Sequence, residues 1–186
     1  MARFLERFRP DLRVASVTDI DPASLVEKGY KGLILDLDNT LLPWQTSDVP
    51  ESSKRWVERA KQVGMRPCIL SNTHYPKRLN RIARELEIPS VAQALKPREQ
   101  GFHAAAKLIG CDIGRTVVVG DQLLTDILGG NLACAYTILV NPMHPREFIG
   151  TKVSRLIEQA IFVCLDMPAR LGTKSEPTKS EEKDTK

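Results

Sequence analysis

The sequence lacks closely spaced cysteines. Its four cysteines are far apart and form no C-x-x-C pair, whereas zinc sites and disulfide frameworks place cysteines in recognisable clusters. We therefore expect free thiols, buried in a protein that works in a reducing compartment. The four are Cys68, Cys111, Cys134 and Cys164.

Long apolar runs and nucleotide-binding loops are missing as well. No stretch reaches the roughly 18 consecutive apolar residues of a transmembrane helix, and the opening MARFLERFRP is too often charged for a secretory signal. The sequence contains neither G-x-x-x-x-G-K-[ST] nor G-x-G-x-x-G, which disfavours nucleoside triphosphates and dinucleotides as ligands. We expect a cytoplasmic protein, with peripheral attachment to the inner face of a membrane as an open alternative.

The composition is that of one globular domain with a polar end. The chain has 186 residues, of which 42% are hydrophobic, and this is enough to bury a core. The last stretch, TKSEPTKSEEKDTK, has no large apolar side chain, so we expect 171–186 to be a disordered tail. The net charge of +4 permits an anionic partner without specifying one. We expect no nucleic-acid partner, and the sequence leaves the oligomeric state open.

Five short apolar segments alternate with amphipathic ones between residues 30 and 142. The apolar segments have the length and composition of buried strands, and those between them repeat apolar residues at helical spacing. This alternation predicts an α/β fold, with a mainly parallel five-stranded sheet covered on both faces by helices. The predicted strands are KGLILDLD, RPCILSN, SVAQAL, TVVVGD and AYTILVN.

Polar residues follow four of the five predicted strands directly. Because ligands of such sheets bind at the carboxyl ends of the strands, these residues are candidates for one common site. They are Asp36 and Asp38 after the first strand, Ser71 and Asn72 after the second, Lys96 after the third, and Asp121 with Asp126 after the fourth.

Two acids of this set, Asp36 and Asp38, interrupt the apolar run LILDLDNTLLPW. In an extended strand, side chains at i and i+2 point to the same face, so these like charges would lie close together. Either a cation lies beside them or one of them keeps its proton. A lone D-x-D is a weak signal, but the ordered set of strand-end residues favours catalysis.

The strand-end residues favour phosphoryl transfer. Asp36 would attack phosphorus to form an aspartyl-phosphate, with Asp38 as general acid and base. A divalent cation would offset the repulsion between carboxylate and phosphate. Asp36 and Asp121 offer Mg²⁺ the oxygen ligands that it prefers.

The remaining candidates would bind the phosphate. Ser71 and the backbone that follows it, including Asn72, would donate hydrogen bonds to phosphoryl oxygens, and Lys96 would neutralise charge as the transition state develops. Asp126 would orient Lys96 or a metal-bound water. Of the three histidines, only His74 is close to these residues in the chain.

Two rival interpretations are inconsistent with the residues of the sequence. An EF-hand loop starting at Asp36 would need glycine in place of Leu41 and glutamate in place of Ser47. A receiver domain, which is not an enzyme, uses acids, a hydroxyl and a lysine on a similar sheet, but its lysine comes last. Here Asp121 and Asp126 follow Lys96.

These residues resemble the motifs of the haloacid dehalogenase (HAD) superfamily phosphatases of subfamily IIIA. The matching stretches are D-L-D-N-T at 36–40, S-N-T at 71–73, K-P at 96–97 and G-D-Q-L-L-T-D at 120–126. The first and last are specific. The start of the chain, TDILGGN and YTILV are similar to the YqeG-type branch, which includes phosphatidylglycerophosphate phosphatases.

The resemblance implies a Rossmann-like three-layer α/β/α sandwich and Mg²⁺ as cofactor. It implies that Asp36 is nucleophile and Mg²⁺ ligand, that Asp38 is general acid/base and a ligand through its carbonyl, and that Asp121 is the remaining ligand. Thr40 and Asp126 would be supporting residues.

The spacing of the motifs leaves no room for a cap domain over the site. Only 32 residues separate Asp38 from Ser71, and a helix and a strand fill that interval. An open site suits a phosphate on a bulky group. We expect a Mg²⁺-dependent phosphomonoester hydrolase that converts phosphatidylglycerophosphate to phosphatidylglycerol. A phosphatase for a soluble small-molecule or protein phosphate, and a non-catalytic phosphate- or metal-binding protein on the same scaffold, stay open.

The two ends of the chain bear on membrane contact. Residues 1–29 form a basic, hydrophobic segment before the core at 30–142, and its Phe4, Leu5, Phe8 and Leu12 are mixed with arginines, as in an interfacial anchor. Residues 143–170 would carry an amphipathic helix. Packing of both segments on the sheet or on another subunit is equally open. The predicted apolar stripe of the helix is Leu156, Ile157, Ala160, Ile161, Cys164 and Leu165.

Overall fold

The chain folds around one parallel sheet. A computed structural model describes residues 2–44, 46–143, 149–168 and 171, and within them six strands lie in the order β1-β6-β5-β2-β3-β4. Every neighbouring pair is parallel, which confirms the predicted fold class. The strands are β1 (Leu12–Val14), β2 (Gly32–Leu35), β3 (Arg66–Leu70), β4 (Ser90–Val91), β5 (Thr116–Gly120) and β6 (Tyr136–Val140).

The sheet has six strands, so the predicted count of five is wrong by one. The additional strand, β1, pairs with β6 at the edge of the sheet, with Leu12 opposite Ile138. It is only three residues long and has Arg13 at its centre, so it shows no apolar run that could reveal it. The basic segment at 1–29 therefore contributes to the sheet.

Helices connect the strands and begin and end at recognisable residues. Asp21 caps α2 by accepting hydrogen bonds from the backbone N–H groups of Ala23 and Ser24, and Pro76 provides a first residue of α4 whose missing N–H is not needed there. The helices are α1 (Ala2–Leu5), α2 (Pro22–Glu27), α3 (Glu51–Gln62), α4 (Pro76–Glu85), α5 (Glu99–Leu108), α6 (Leu128–Leu132) and α7 (Ile149–Cys164).

Successive residues of the central strands face opposite layers. In β2, Leu33 and Leu35 pack with the apolar residues of α3 and α4, whereas Ile34 packs with those of α5. Burial is complete on both faces, as in a parallel sheet covered by helices. The structure therefore has the predicted three layers.

The last helix packs on the core through a different stripe from the predicted one. Ile161, Phe162 and Leu165 are buried in a cluster that also contains Phe8 from the amino-terminal segment. The predicted stripe is right at Ile161 and Leu165 and wrong at the exposed Ile157, Ala160 and Cys164, while the side chain of Leu156 lies outside the described residues. Both terminal segments thus contribute side chains to the protein interior.

The cysteines differ in burial more than the sequence predicts. All four are free thiols, but only Cys68 is fully buried, whereas Cys134 and Cys164 are exposed. Among the helices that the structure describes, none combines the length and apolar character required to span a membrane. The predicted tail falls outside the described residues except for Leu171.

Candidate active site

The first two acids lie where β2 ends. The β2 ladder continues to Asp36, whose backbone N–H donates to the carbonyl of Val119 at 2.9 Å, and the chain then turns at Asn39, which has a positive φ of 65°. Asp36 and Asp38 both line a cavity of about 780 Å³ at this edge of the sheet. Both acids therefore face the same cavity, just beyond the end of β2.

The end of β5 presents two further acids to the same region. After Gly120 and Asp121 the chain forms a π-helical turn, Leu123–Ile127, a conformation that is frequent at functional sites. This turn brings Asp126 back toward the strand, where its Oδ2 accepts from the backbone N–H of Gln122 at 3.2 Å. A Cβ on Gly120 would lie 2.3 Å from Cγ of Asp126, so any side chain at position 120 would displace Asp126.

A turn after β4 positions Lys96. The predicted strand SVAQAL is a strand only at Ser90–Val91, because Gln93 and Leu95 both have positive φ angles and the chain bends away from the sheet. The Asn72 side chain fixes this bend. Its Nδ2 donates to the Lys96 carbonyl at 3.1 Å, and its Oδ1 accepts from the Lys96 N–H at 2.8 Å.

Lys96 joins the acids of β2 and β5 in a buried ionic cluster. Its Nζ donates to Oδ1 of Asp36 at 2.5 Å and to Oδ1 of Asp126 at 2.6 Å. The Lys96 side chain is only 4% exposed, so this cluster is shielded from bulk water. Carboxylate oxygens of Asp36, Asp121 and Asp126 lie within 4.8 Å of one another.

The buried cluster changes the acidity of its members. Burial raises the pKa of Asp36 to about 7, against the attraction of Lys96 and together with repulsion from Asp126 and Asp38. Burial alone would lower the pKa of Lys96, but attraction to Asp126 and Asp36 outweighs it and raises this pKa above its ordinary value. Lys96 is therefore a permanent cation in the cluster.

The cluster suits a divalent metal ion. When ionised, its three carboxylates and the one ammonium of Lys96 leave two net negative charges, and oxygen ligands are those that hard divalent cations prefer. Oδ2 of Asp36 is buried without a hydrogen-bond partner among the described residues. The acids that meet are Asp36, Asp121 and Asp126, so the predicted ligand Asp38 contributes no carboxylate here, and a ligand role for its carbonyl stays a prediction.

The Asp38 carboxylate is held by an arginine that sequence reasoning missed. Nη2 of Arg78 donates to Oδ1 of Asp38 at 2.7 Å, and Nη1 donates to Oδ2 at 3.0 Å. Each acid of the D-x-D pair therefore has its own cation, which answers how two like charges are tolerated. The only signal for Arg78 is its place in the first turn of the helix after β3, whose start faces the site.

The other predicted residues surround this centre. Ser71 is buried at the cavity wall, and its Oγ accepts from the N–H of Thr73 at 3.2 Å. Thr40 is 1% exposed and does not line the cavity. His74, the histidine nearest these residues in the chain, lines the cavity, and His103 is exposed elsewhere.

The chain is similar in sequence to known proteins. A family model described as HAD-hydrolase-like matches residues 94–142. The chain is 36% identical over 158 residues to the "probable phosphatase YqeG" of Bacillus subtilis, and the match covers 85% of this chain and 91% of that protein. It is 29% identical over 157 residues to phosphatidylglycerophosphate phosphatase 1, chloroplastic/mitochondrial, of Arabidopsis thaliana, which covers 79% of this chain but 45% of that protein.

A solved structure shows the same fold. The cobalt-bound deoxy-D-mannose-octulosonate 8-phosphate phosphatase of Haemophilus influenzae superposes with a TM-score of 0.51 over 78% of this chain and 92% of that one, at 16% identity. At this identity the likeness concerns the fold alone. Family model and relatives agree with the strand-end motifs: the chain belongs to the HAD phosphatases, in the branch of YqeG and the phosphatidylglycerophosphate phosphatases, and is a hydrolase of phosphoric monoesters.

Proposed function

We propose that this protein is a Mg²⁺-dependent phosphatase that converts phosphatidylglycerophosphate to phosphatidylglycerol and phosphate. The observation that carries the proposal is the buried cluster in which Lys96 holds one oxygen of Asp36 within reach of Asp121 and Asp126. A nucleophilic carboxylate, a fixed cation and a set of oxygen ligands are the parts that phosphoryl transfer needs.

Asp36 is the proposed nucleophile. One of its oxygens forms a bond to phosphorus while the ester P–O bond breaks, and the proton of the Asp38 carboxyl group passes to the leaving oxygen. Water then attacks the aspartyl-phosphate, Asp38 takes a proton from that water, and phosphate leaves. Lys96 neutralises negative charge at the reacting centre throughout, because the carboxylates around it keep it protonated.

A divalent cation has its proposed place among Asp36, Asp121 and Asp126. When bound, it would supply positive charge that offsets the repulsion between the Asp36 carboxylate and the phosphate dianion. Ser71 and the backbone at Asn72 are the proposed donors to the phosphoryl oxygens. The Asn72 side chain, which holds the Lys96 backbone, aims Lys96 into the site.

The lipid assignment rests on the relatives and on the openness of the cavity. Within the described residues, only a loop and α3 lie between Asp38 and β3, so no domain covers the site. Two aromatic side chains, Trp44 and Tyr75, line the cavity, and Tyr75 is 73% exposed. Apolar side chains at an open phosphate site favour a substrate that carries its own apolar part.

Replacement of the nucleophile tests the mechanism. Asp36→Asn keeps the size of the side chain but removes the attacking carboxylate, so phosphate release should fall at least about a thousandfold. Asp48→Asn is the matched control, because Asp48 is a fully exposed acid, and it should keep normal activity. Undiminished release by Asp36→Asn would remove the mechanism and leave a binding role for the site.

A substrate comparison tests the lipid assignment. Phosphate release from phosphatidylglycerophosphate in mixed lipid vesicles is compared with release from glycerol 3-phosphate and hexose phosphates, with Mg²⁺ and with a chelator. We expect kcat/KM to be highest for the lipid and release to stop with the chelator. A clear preference for the soluble esters would favour the alternative of a small-molecule phosphatase.

A further inference from the structure

Arg78 links two parts of the site that are far apart in sequence. Its Nη1 and Nη2 atoms each donate to one oxygen of the Asp38 carboxylate, and we call this pair of hydrogen bonds the fork. Its Nε donates to the backbone carbonyl of Thr46 at 2.7 Å. The guanidinium group therefore uses both its edges at once. Three hydrogen bonds fix the orientation of the planar guanidinium group, and the guanidinium group in turn orients the Asp38 carboxylate.

The loop that Thr46 belongs to leads out of the active site. It follows Trp44, which lines the cavity, and it is tied to α4 a second time where Nη2 of Arg81 donates to the carbonyl of Ser47 at 2.8 Å. Arg78 contacts both this loop and Asp38, whereas Arg81, within the described part of the chain, pairs with Ser47 and Asp48 of the loop. Substitutions of the two arginines can therefore be compared: loss of Arg81 affects the loop alone, whereas loss of Arg78 affects both the loop and Asp38.

We propose that Arg78 is the positioning residue for proton transfer by Asp38 to the leaving group, an inference that rests on the function proposed above. Both Asp38 oxygens accept hydrogen bonds from Arg78, so one of these two bonds must open when Asp38 exchanges a proton with the leaving group or with water. The Nε bond to Thr46 keeps the guanidinium in place while that bond exchanges. After the proton has moved to the leaving oxygen, the fork closes on the carboxylate that remains.

The location of the pair supports a role in the reaction. Arg78 and Asp38 both line the cavity, and their side chains are 17% and 25% exposed, so the carboxylate is accessible to a bound ester. A pair that served only to stabilise the fold would not need to reach the cavity. The positioning role makes a prediction about which esters depend on Arg78.

Esters with different leaving groups distinguish positioning from general damage to the site. The alkoxide of an alkyl phosphate is a poor leaving group and needs a proton, whereas p-nitrophenolate leaves without one. General acid catalysis contributes typically 10²- to 10⁴-fold. For Arg78→Met we therefore expect kcat on an alkyl phosphate to fall about tenfold to a hundredfold more than kcat on p-nitrophenyl phosphate, with a small change in KM.

Arg78→Lys and Arg81→Met complete the series. Lysine keeps the positive charge but cannot form the fork, so Arg78→Lys should show the same dependence on the leaving group in a milder form. Arg81→Met removes the neighbouring contact with the loop and should leave the ratio of the two kcat values unchanged. Circular dichroism spectra of each variant, recorded with Mg²⁺, identify any variant that fails to fold. If Arg78→Met fails to fold, Arg78→Lys provides the test.

A double mutant shows whether Arg78 acts through Asp38. In an Asp38→Asn background, adding Arg78→Met should slow alkyl phosphate hydrolysis no further, because the residue to be positioned is gone. Equal losses on both esters, or full additivity with Asp38→Asn, would overturn the positioning role. Activity that survives in Asp36→Asn would instead overturn the proposed function, so the two failures are distinguishable.

Discussion

Two ion pairs at the same edge of the sheet have different surroundings. Lys96 and Asp126 are 4% and 2% exposed, whereas Arg78 and Asp38 are 17% and 25% exposed. A charge in the interior that loses its partner is strongly destabilising, while a pair in contact with water is screened. The buried cluster is thus suited to a fixed charge at the phosphate, and the pair at the cavity wall to a group that must exchange hydrogen bonds.

The two pairs are also fixed in different ways. Lys96 is aimed by two hydrogen bonds between its backbone and the Asn72 side chain, one donated by each residue, and Asp126 fits because Gly120 has no side chain. Arg78 is fixed through its own guanidinium group, by the carbonyl of Thr46. Because its backbone is anchored, Lys96 holds the buried cluster rigidly. Because Arg78 is anchored only through its side chain, its hydrogen bonds to Asp38 can open and close.

The largest effect is expected from Lys96→Met. It leaves the buried acids without their ammonium, so the free energy of unfolding, measured with urea and a chelator, should fall by about 3–5 kcal/mol. Because burial already raises the pKa of Asp36 above its unfolded value, protonation favours the fold. The loss should therefore be smaller at about pH 5 than at about pH 8.

Lys54→Met is the matched control for this loss. Lys54 pairs with Glu85 at 2.6 Å on the surface, where both side chains are about a third exposed. Its removal should lower the free energy of unfolding far less than Lys96→Met does, because water screens an exposed pair. If the two lysine variants lose the same stability, the buried cluster does not have the electrostatic role argued for it.

Gly120→Ala should perturb the buried cluster without changing a charge. The new Cβ would lie 2.3 Å from Cγ of Asp126, which must move away from Lys96. We expect a loss of about 1–3 kcal/mol in the free energy of unfolding, typical of overpacking, together with lower activity. Gly114→Ala, whose Cβ would meet Oδ1 of Asp112 at an ordinary 3.8 Å, should change stability by less than about 0.5 kcal/mol; equal effects would count against the tight fit at Gly120.

The sequence predicts the buried cluster well because its parts are at strand ends. Parallel strands bring their carboxyl ends to one edge, so Asp36 and Asp121 could be placed together from strand patterns alone, whereas Lys96 lies five residues beyond the end of β4. The shortened β4 was not predictable in this way, since an apolar stretch does not show that Gln93 and Leu95 have positive φ angles. The bend matters because it delivers Lys96.

The pair at the cavity wall is hidden from such reasoning. Arg78 lies 40 residues from Asp38 on a helix with several other basic residues, and no local pattern distinguishes the arginine that turns inward. The edge strand β1 is hidden for a related reason, because three residues with a central arginine carry no periodic signal. Long-range pairing decides both features.

The affinity of the buried cluster for Mg²⁺ should depend on the protonation of Asp36. A proton on Asp36, whose pKa burial raises to about 7, must leave before that carboxylate can bind Mg²⁺. The dissociation constant, measured by calorimetry, should therefore fall about tenfold between about pH 6 and about pH 8. Arg78→Met should keep this dependence, because Arg78 contacts Asp38 and not the acids of the cluster; a dissociation constant that does not change with pH would contradict the proposed ligand role of Asp36.

Arg78→Met should have only a small effect on stability. The pair with Asp38 is part-exposed, so water can solvate the carboxylate when the guanidinium is removed, and the free energy of unfolding should fall by about 1 kcal/mol or less. Urea denaturation beside Lys96→Met gives the direct comparison. A loss as large as that of Lys96→Met would mean that the Arg78–Asp38 pair is as poorly solvated as the buried cluster. The main role of Arg78 would then be to stabilise the fold and not to position Asp38.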